Sequence, residues 1–331
     1  MLFVGRLDLI SNAEFTRRSL SQLDVIEPPK RPARKVVRID LAAIEEIDPS
    51  SLLYIVAQVD RLAELPGISV TGNFPRAPEV MRFFNEAGFL RHMRREKMKA
   101  PNRPTLELCS GHTSKLFDPE EWQHLYAFLA AHLPPGSDLA DTIWNAFSEC
   151  IENAHLHAFE NKVAGGPWHA LAIRASANAP ARAVIVDLGV GIPRSVRLTA
   201  LEMGRVRLNQ AVRSITALWD RALELAGLSD QIDDDAVTEL FSMIDTNDAA
   251  CLWLAAQGLR TETQDRERGT GLPGLITAAS ETDGAVHLLS GQAAVTWQGG
   301  RLLPSTGRLT PLRGTVVCLE FTGQLSEVAT P

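Results

Sequence analysis

Glu149 and Asn153 stand four residues apart in the segment SECIENAHLHAFEN, residues 148–161. On a helix that spacing puts both on one face, and Asn145 and His157 extend the stripe one turn each way. Ile143, Phe147, Cys150 and Ala154 make the opposite, apolar face. A carboxylate beside an amide can take a proton from an attacking hydroxyl while the amide oxygen holds a metal ion on phosphates. The same pattern also describes a solvated polar stripe.

A second segment, AVIVDLGVGIP (183–193), reads as an apolar strand that delivers Asp187 at its end, followed by Gly189 and Gly191. A buried carboxylate needs a donor, and an adenine exocyclic amine is a suitable one. Glycines let a ligand approach the backbone; a tight turn after a strand uses them equally well. A third segment, RERGTGLPGL (266–275), fits G-x-G-x-x-G with Gly269, Gly271 and Gly274. The polar residues before it are not an apolar strand, so a dinucleotide-binding turn is not indicated. A flexible loop feeding a helix N-terminus, where free N–H groups favour phosphate, fits better. Gly314-Thr315 opens a last apolar strand, VVCLEF, and carries no signal by itself.

Other chemistry-bearing residues carry less. His155 and His157 are two apart, so on a helix they diverge by about 200° and make a poor metal pair. The basic run Arg91–Lys99 lacks an aromatic stacking pattern and reads as a solvated face or an acidic-partner site.

Elements must hold these residues in place. Residues 36–41 read as a strand, and a helix starts at IDPSS with Asp48 as N-cap and Pro49 in its first turn. The amphipathic run 52–65 ends at Pro66-Gly67, 68–72 reads as a strand, and 79–89 as a helix. The basic, proline-broken stretch 91–104 marks a boundary, giving a β-α-β-α module over 1–104 and a second module over 105–331. The second module predicts a helix over 119–132, a long helix from 138 to about 159, and strands at 168–175 and 182–187. A glycine cluster at 269–274 precedes a short helix, and 284–323 is strand-like. The expected fold class is α+β, two domains, the second with helices over one face of a mostly antiparallel sheet. The stretch 194–268 between the glycine clusters is expected to be a long lid insertion. Leu208, Val212, Ile215 and Trp219 recur there at helical spacing, as core packing does.

Composition narrows the class. The 331 residues are 45% apolar and 22% charged, ordinary for a chain with real cores and unlike a disordered or fibrous one. The longest apolar run, Ala249–Ala256, is too short to cross a membrane, and the start carries no export signal. Four isolated cysteines, with no C-x-x-C, fit reduced thiols and a cytoplasmic location. Net charge is −7, split into 17 basic against 13 acidic residues in 1–104 and 16 against 27 beyond. That asymmetry supports two modules, and the overall acidity argues against general nucleic-acid coating.

Taken in order, the four segments resemble the N box, two glycine boxes and closing Gly-Thr of the GHKL (Bergerat-fold) ATPases, over about residues 110–323. The resemblance implies that ATP and Mg2+ bind between sheet and helices. Asp187 would hold the adenine amine with Thr315 supporting it, and Gly189 and Gly191 would line the base pocket. Asn153 would ligate magnesium, and Gly269, Thr270, Gly271, Leu272 and Gly274 would close over the phosphates. Glu149 would be the catalytic base.

Within that family, SECIENAHLHAFEN looks most like the anti-sigma-factor serine kinases, with Ala158 where that branch has glycine. The first module, with VVRIDL, IDPSS, ISVTG and FFNEAGFLRHM, resembles a STAS domain, the fold of the antagonists those kinases act on. Ser50 then falls at the phosphoacceptor position of a D-S-S-G motif, with Pro49 and Ser51 replacing a serine and the glycine; Ser50 and Ser51 also suit plain helix capping. The resemblance implies an ATPase or serine/threonine protein kinase of a bacterial signalling module. Its protein partner would be a STAS-type antagonist, a sigma factor or another regulator, and a homodimer is compatible. Two rivals stand beside it: a nucleotide-gated sequestering protein with little turnover, and a DNA-associated ATPase using the basic first module.

Overall fold

The computed structural model describes residues 1–29, 34–89, 92, 106–112, 126–127, 139–157, 167–173, 180–198, 244–256, 271–304 and 309–321. The chain is mixed α+β, with a parallel three-stranded sheet and an antiparallel seven-stranded sheet.

The first sheet comprises β1 (Leu2–Leu7), β2 (Lys35–Ile47) and β3 (Ile68–Asn73), in that order, with β2 pairing parallel to both neighbours. Helices α1 (Ala13–Asp24) and α2 (Pro49–Glu64) follow β1 and β2, and α3 (Pro78–Glu86) follows β3. The expected β-α-β-α pattern therefore lacked a leading β1-α1 pair. Asp48 caps α2 as expected, accepting from the backbone N–H of Ser50 and Ser51, with Pro49 in the first turn.

The second sheet contains β4 (Leu106–His112), β5 (Pro167–Ile173), β6 (Ala181–Asp187), β7 (Ala285–Gly291), β8 (Ala293–Gln298), β9 (Arg301–Pro304) and β10 (Leu312–Phe321). Its order is β4-β5-β6-β10-β7-β8-β9. Three helices are described alongside it: α4 (Leu139–His157), α5 (Asp248–Ala256) and α6 (Gly271–Glu281). Residues 192–198 add a short helical segment. The predicted helix over 119–132 lies outside the described residues except for 126–127.

Alternation along the strands explains the layering. Ala183 and Ile185 of β6, and Val317, Leu319 and Phe321 of β10, pack with α4, α5 and α6. Val184 and Val186 of β6, and Val316 and Cys318 of β10, belong to a different core, shared with Leu52, Leu53 and Val56 of α2 and Leu20 of α1. Both faces of the sheet are thus covered, one by its own helices and one by the first module. Expecting helices over one face described half of this. The layers run from three-stranded sheet to α1 and α2, then to the seven-stranded sheet, then to α4, α5 and α6. Helix α2 is consistent with its place: every residue from Pro49 to Val59 is buried, as expected of a helix enclosed between layers.

Of the stretch 194–268 expected to be a lid insertion, residues 194–198 and 244–256 are described. The apolar run at its far end is helix α5, whose Cys251, Leu252, Trp253 and Leu254 are buried in the core against the sheet. A helix this apolar lowers its free energy by burial, about 25 cal/mol per Å² removed from water, so it packs instead of hanging over a pocket. Leu208, Val212, Ile215 and Trp219 lie outside the described residues.

Candidate functional site

Strand β6 is apolar from Ala183 to Val186, so its end carries Asp187 into a buried position. Thr315 of β10 and Trp168 of β5 are its partners across the sheet. The carboxylate accepts from the Gly189 N–H at 2.9 Å, and from the hydroxyl and N–H of Thr315. Burial outweighs these donors and pushes its pKa up to about 6. Asp187 is therefore a desolvated acceptor that further hydrogen-bond donation would favour in its charged form.

The turn after Asp187 is built around Ser290. Its hydroxyl donates to Gly314 O at 2.7 Å, accepts from the Ile192 N–H at 3.0 Å, and lies 3.3 Å from Thr315 Oγ1. Gly191 has φ +81°, and a Cβ there would lie 2.7 Å from Ser290 Oγ. Gly314 has φ +76°, and a Cβ there would collide with the Asp187 carbonyl. Both positions need glycine because of backbone conformation and close approach. The closing Gly-Thr has a structural reason before any ligand is considered: it seats β10 against the end of β6, where its register with β7 shifts.

Helix α4 passes beside this strand end. Cys150 is buried, and burial drives its thiol pKa up to about 12, with the Glu149 and Asp187 carboxylates adding to the rise. The two predicted carboxylates thus act on one thiol from the helix and from the sheet. Glu149 is half-buried. Asn153 lies one turn further along α4, and its side chain is outside the described residues.

The second glycine cluster is placed differently from expectation. The region read as a loop over 269–274 is helical from Gly271 onward. Gly274 faces α4, where an added Cβ would sit 3.0 Å from Ala146 Cβ, so it permits the close packing of α6 on α4. Leu272 is half-buried against the core shared by these helices. Gly274 and Leu272, expected over the phosphates, both contact protein here. Gly271 stands at the described start of α6. Gly269 and Thr270 lie outside the described residues.

Ser50, the expected phosphoacceptor position, lies in the interior. It is fully buried, and its hydroxyl lies beside the Cys318 thiol of β10. In this arrangement the seven-stranded sheet covers it.

Sequence reasoning missed the polar contacts that seat the first module on the strand ends of the site. Arg17 of α1 is fully buried and donates to Gly291 O at 3.0 Å and Ala293 O at 2.6 Å. Glu14 accepts from the Thr310 N–H at 2.7 Å and its hydroxyl at 2.8 Å. The Tyr54 hydroxyl donates to Asp24 at 2.8 Å, Asp24 accepts from the Arg313 N–H at 3.2 Å, and Arg313 Nε donates to Leu188 O at 2.9 Å. Two of these carbonyls adjoin Ser290 or Asp187. Sequence reasoning also missed a cluster of Asp60, His92 and His169. Their wide separation along the chain left no spacing signal.

No family model matches this chain, and no curated protein matches it. Among the described residues, no helix is long and apolar enough to cross a membrane.

Proposed function

We propose that the region bounded by the end of β6, the Gly189–Gly191 turn, α4 and the N-terminus of α6 binds ATP with Mg2+, in the manner of a GHKL ATPase. The observation that carries this reading is Asp187, a buried carboxylate at a strand end with its pKa raised to about 6 and Thr315 beside it. Such a group suits an adenine amine, whose donation would favour the charged form. The α6 N-terminus offers N–H groups to an anion. Asn153 would present its amide oxygen to magnesium, which would supply charge neutralisation on the phosphates. Glu149 would take the proton from an attacking hydroxyl or water. On this reading the first module is STAS-like, the setting is a cytoplasmic signalling module, and the partner is a regulatory protein.

Isothermal titration of the full chain with Mg-ATP tests the reading. Wild type is expected to bind, and Asp187→Ala to bind about five- to 150-fold more weakly, because a buried donor left without its acceptor costs about 1–3 kcal/mol. Equal affinities, or no binding by a folded wild type, would reject it. Transfer of labelled phosphate to a protein hydroxyl, lost in Glu149→Gln, is the mark of a kinase.

The burial of Ser50 and the anchoring of α1 and α2 beside Thr315 favour the second reading, a nucleotide-gated interaction protein. Nucleotide-dependent retention of a partner that survives Glu149→Ala would select it.

A further inference from the structure

We propose that Asp60, His92 and His169 form a binding site for a divalent transition metal of the zinc type, joining the first module to the seven-stranded sheet. The site lies on the far side of the sheet from α4, and the inference does not depend on nucleotide binding.

The three residues come from separate parts of the chain: Asp60 from α2, His92 from the segment after α3, and His169 from β5. Asp60 Oδ2 lies 2.7 Å from His92 Nε2 and 2.8 Å from His169 Nε2. One ligand-type atom from each residue falls within 4.8 Å of the other two. Zinc sits about 2.0–2.2 Å from imidazole nitrogen and carboxylate oxygen, which in a tetrahedron spaces neighbouring ligands by about 3.3 Å. Each carboxylate–imidazole pair therefore needs to open by less than about 1 Å to reach that spacing. The ring centroids are 5.9 Å apart and the planes cross at 73°, so the rings are not stacked face to face.

Two neutral imidazoles and one carboxylate give a donor set that suits zinc or cobalt better than calcium or magnesium, which favour oxygen. Glu64, one turn along α2, adds negative potential at His169. It or a water would supply the fourth ligand. His169 is fully buried while the Asp60 and His92 side chains are 30% and 19% exposed, so the ion has an entry side and a closed side. His169 Nδ1 has no partner among the described residues, and this holds with or without an ion, so it favours neither state. The rival is a hydrogen-bonded clasp in which Asp60 accepts from both rings.

The test uses the full chain after treatment with a chelator. Titration with Co2+ should show one equivalent bound with the visible absorption of a tetrahedral site, and Zn2+ should displace it. Zinc at about a hundredfold excess over its Kd should raise Tm by about 5 °C. Asp60→Asn and His169→Gln should abolish the cobalt spectrum. Should either fail to fold, His92→Gln at the exposed edge should weaken affinity at least tenfold. His287→Gln, which alters another buried histidine outside the cluster, should leave the spectrum unchanged. Absence of stoichiometric uptake by wild type would overturn the proposal, as would a spectrum unaffected by the three cluster variants, and the clasp alone would stand.

Discussion

Asp60 and Asp187 lie on opposite sides of the same sheet, and their surroundings push them in opposite directions. Burial raises both. At Asp60 the two imidazoles outweigh burial and hold the carboxyl well below its ordinary range. At Asp187 the donors are a backbone turn and a threonine, burial wins, and the pKa is pushed up to about 6. The contrast separates a carboxylate already paired by its own protein from one that a ligand donor would still benefit. It also gives the two faces of the sheet different characters: one seated by polar contacts from the first module, the other bordered by a glycine turn, a half-buried glutamate and the start of α6.

The sharpest way to break the comparison is pH. A carboxyl with a raised folded pKa contributes stability that is lost as pH climbs from the ordinary value of 3.8 through about 6. Asp187→Asn removes this, so in urea unfolding from about pH 4 to 7 the variant should gain up to about 3 kcal/mol on wild type. A constant difference between the two proteins would sink the assignment. Asp60 has the opposite sign: its lowered pKa contributes stability that is lost as pH falls below the carboxylate range. If an amine pairs with charged Asp187, nucleotide affinity should rise with pH up to about 6 and then level off.

A smaller effect is expected from Arg17→Ala. It strands the carbonyls of Gly291 and Ala293 in a buried place, at a cost of about 2–3 kcal/mol, measured by denaturant unfolding. Because Gly291 adjoins Ser290, nucleotide binding should weaken a few-fold in the same variant. Unchanged affinity would make the two faces of the sheet independent.

The smallest effect is expected from Gly274→Ala. The helix gains about 1 kcal/mol in propensity, and the crowded contact with Ala146 takes back a similar amount. Melting temperature should move by a few degrees at most and nucleotide affinity should stay unchanged. A large loss of affinity with unchanged stability would restore Gly274 to the phosphates.

Much of the fold was legible locally. The long helix bearing Glu149, the strand ending in Asp187 and the Asp48 cap each follow from near-neighbour spacing, and each lies where that spacing put it. What local pattern missed was tertiary. Strand β1 is short and carries Gly5 and Arg6, so its pairing with β2 supplies the order its own residues do not. The runs AVIV and VVCL in β6 and β10 are apolar at consecutive positions, and that is itself a sign of a strand covered on both faces. The helical start at Gly271 was hidden because glycine weakens a helix, and packing against α4 compensates. At the candidate site, Asp187 and Thr315 are cross-strand partners, a pairing that only the family resemblance implied. The Arg17 and Tyr54 contacts were not legible, because they reach backbone carbonyls more than two hundred residues away.

The core shared by α2 and the outer face of the sheet leaves the first ninety residues no independent existence in this arrangement. A truncated chain beginning after them would turn Leu171, Val184, Val186 and Val316 toward water together, a continuous oily patch on a flat sheet. Such a fragment should clump or pair with its like, and any event that regulates the protein must leave that patch covered by something.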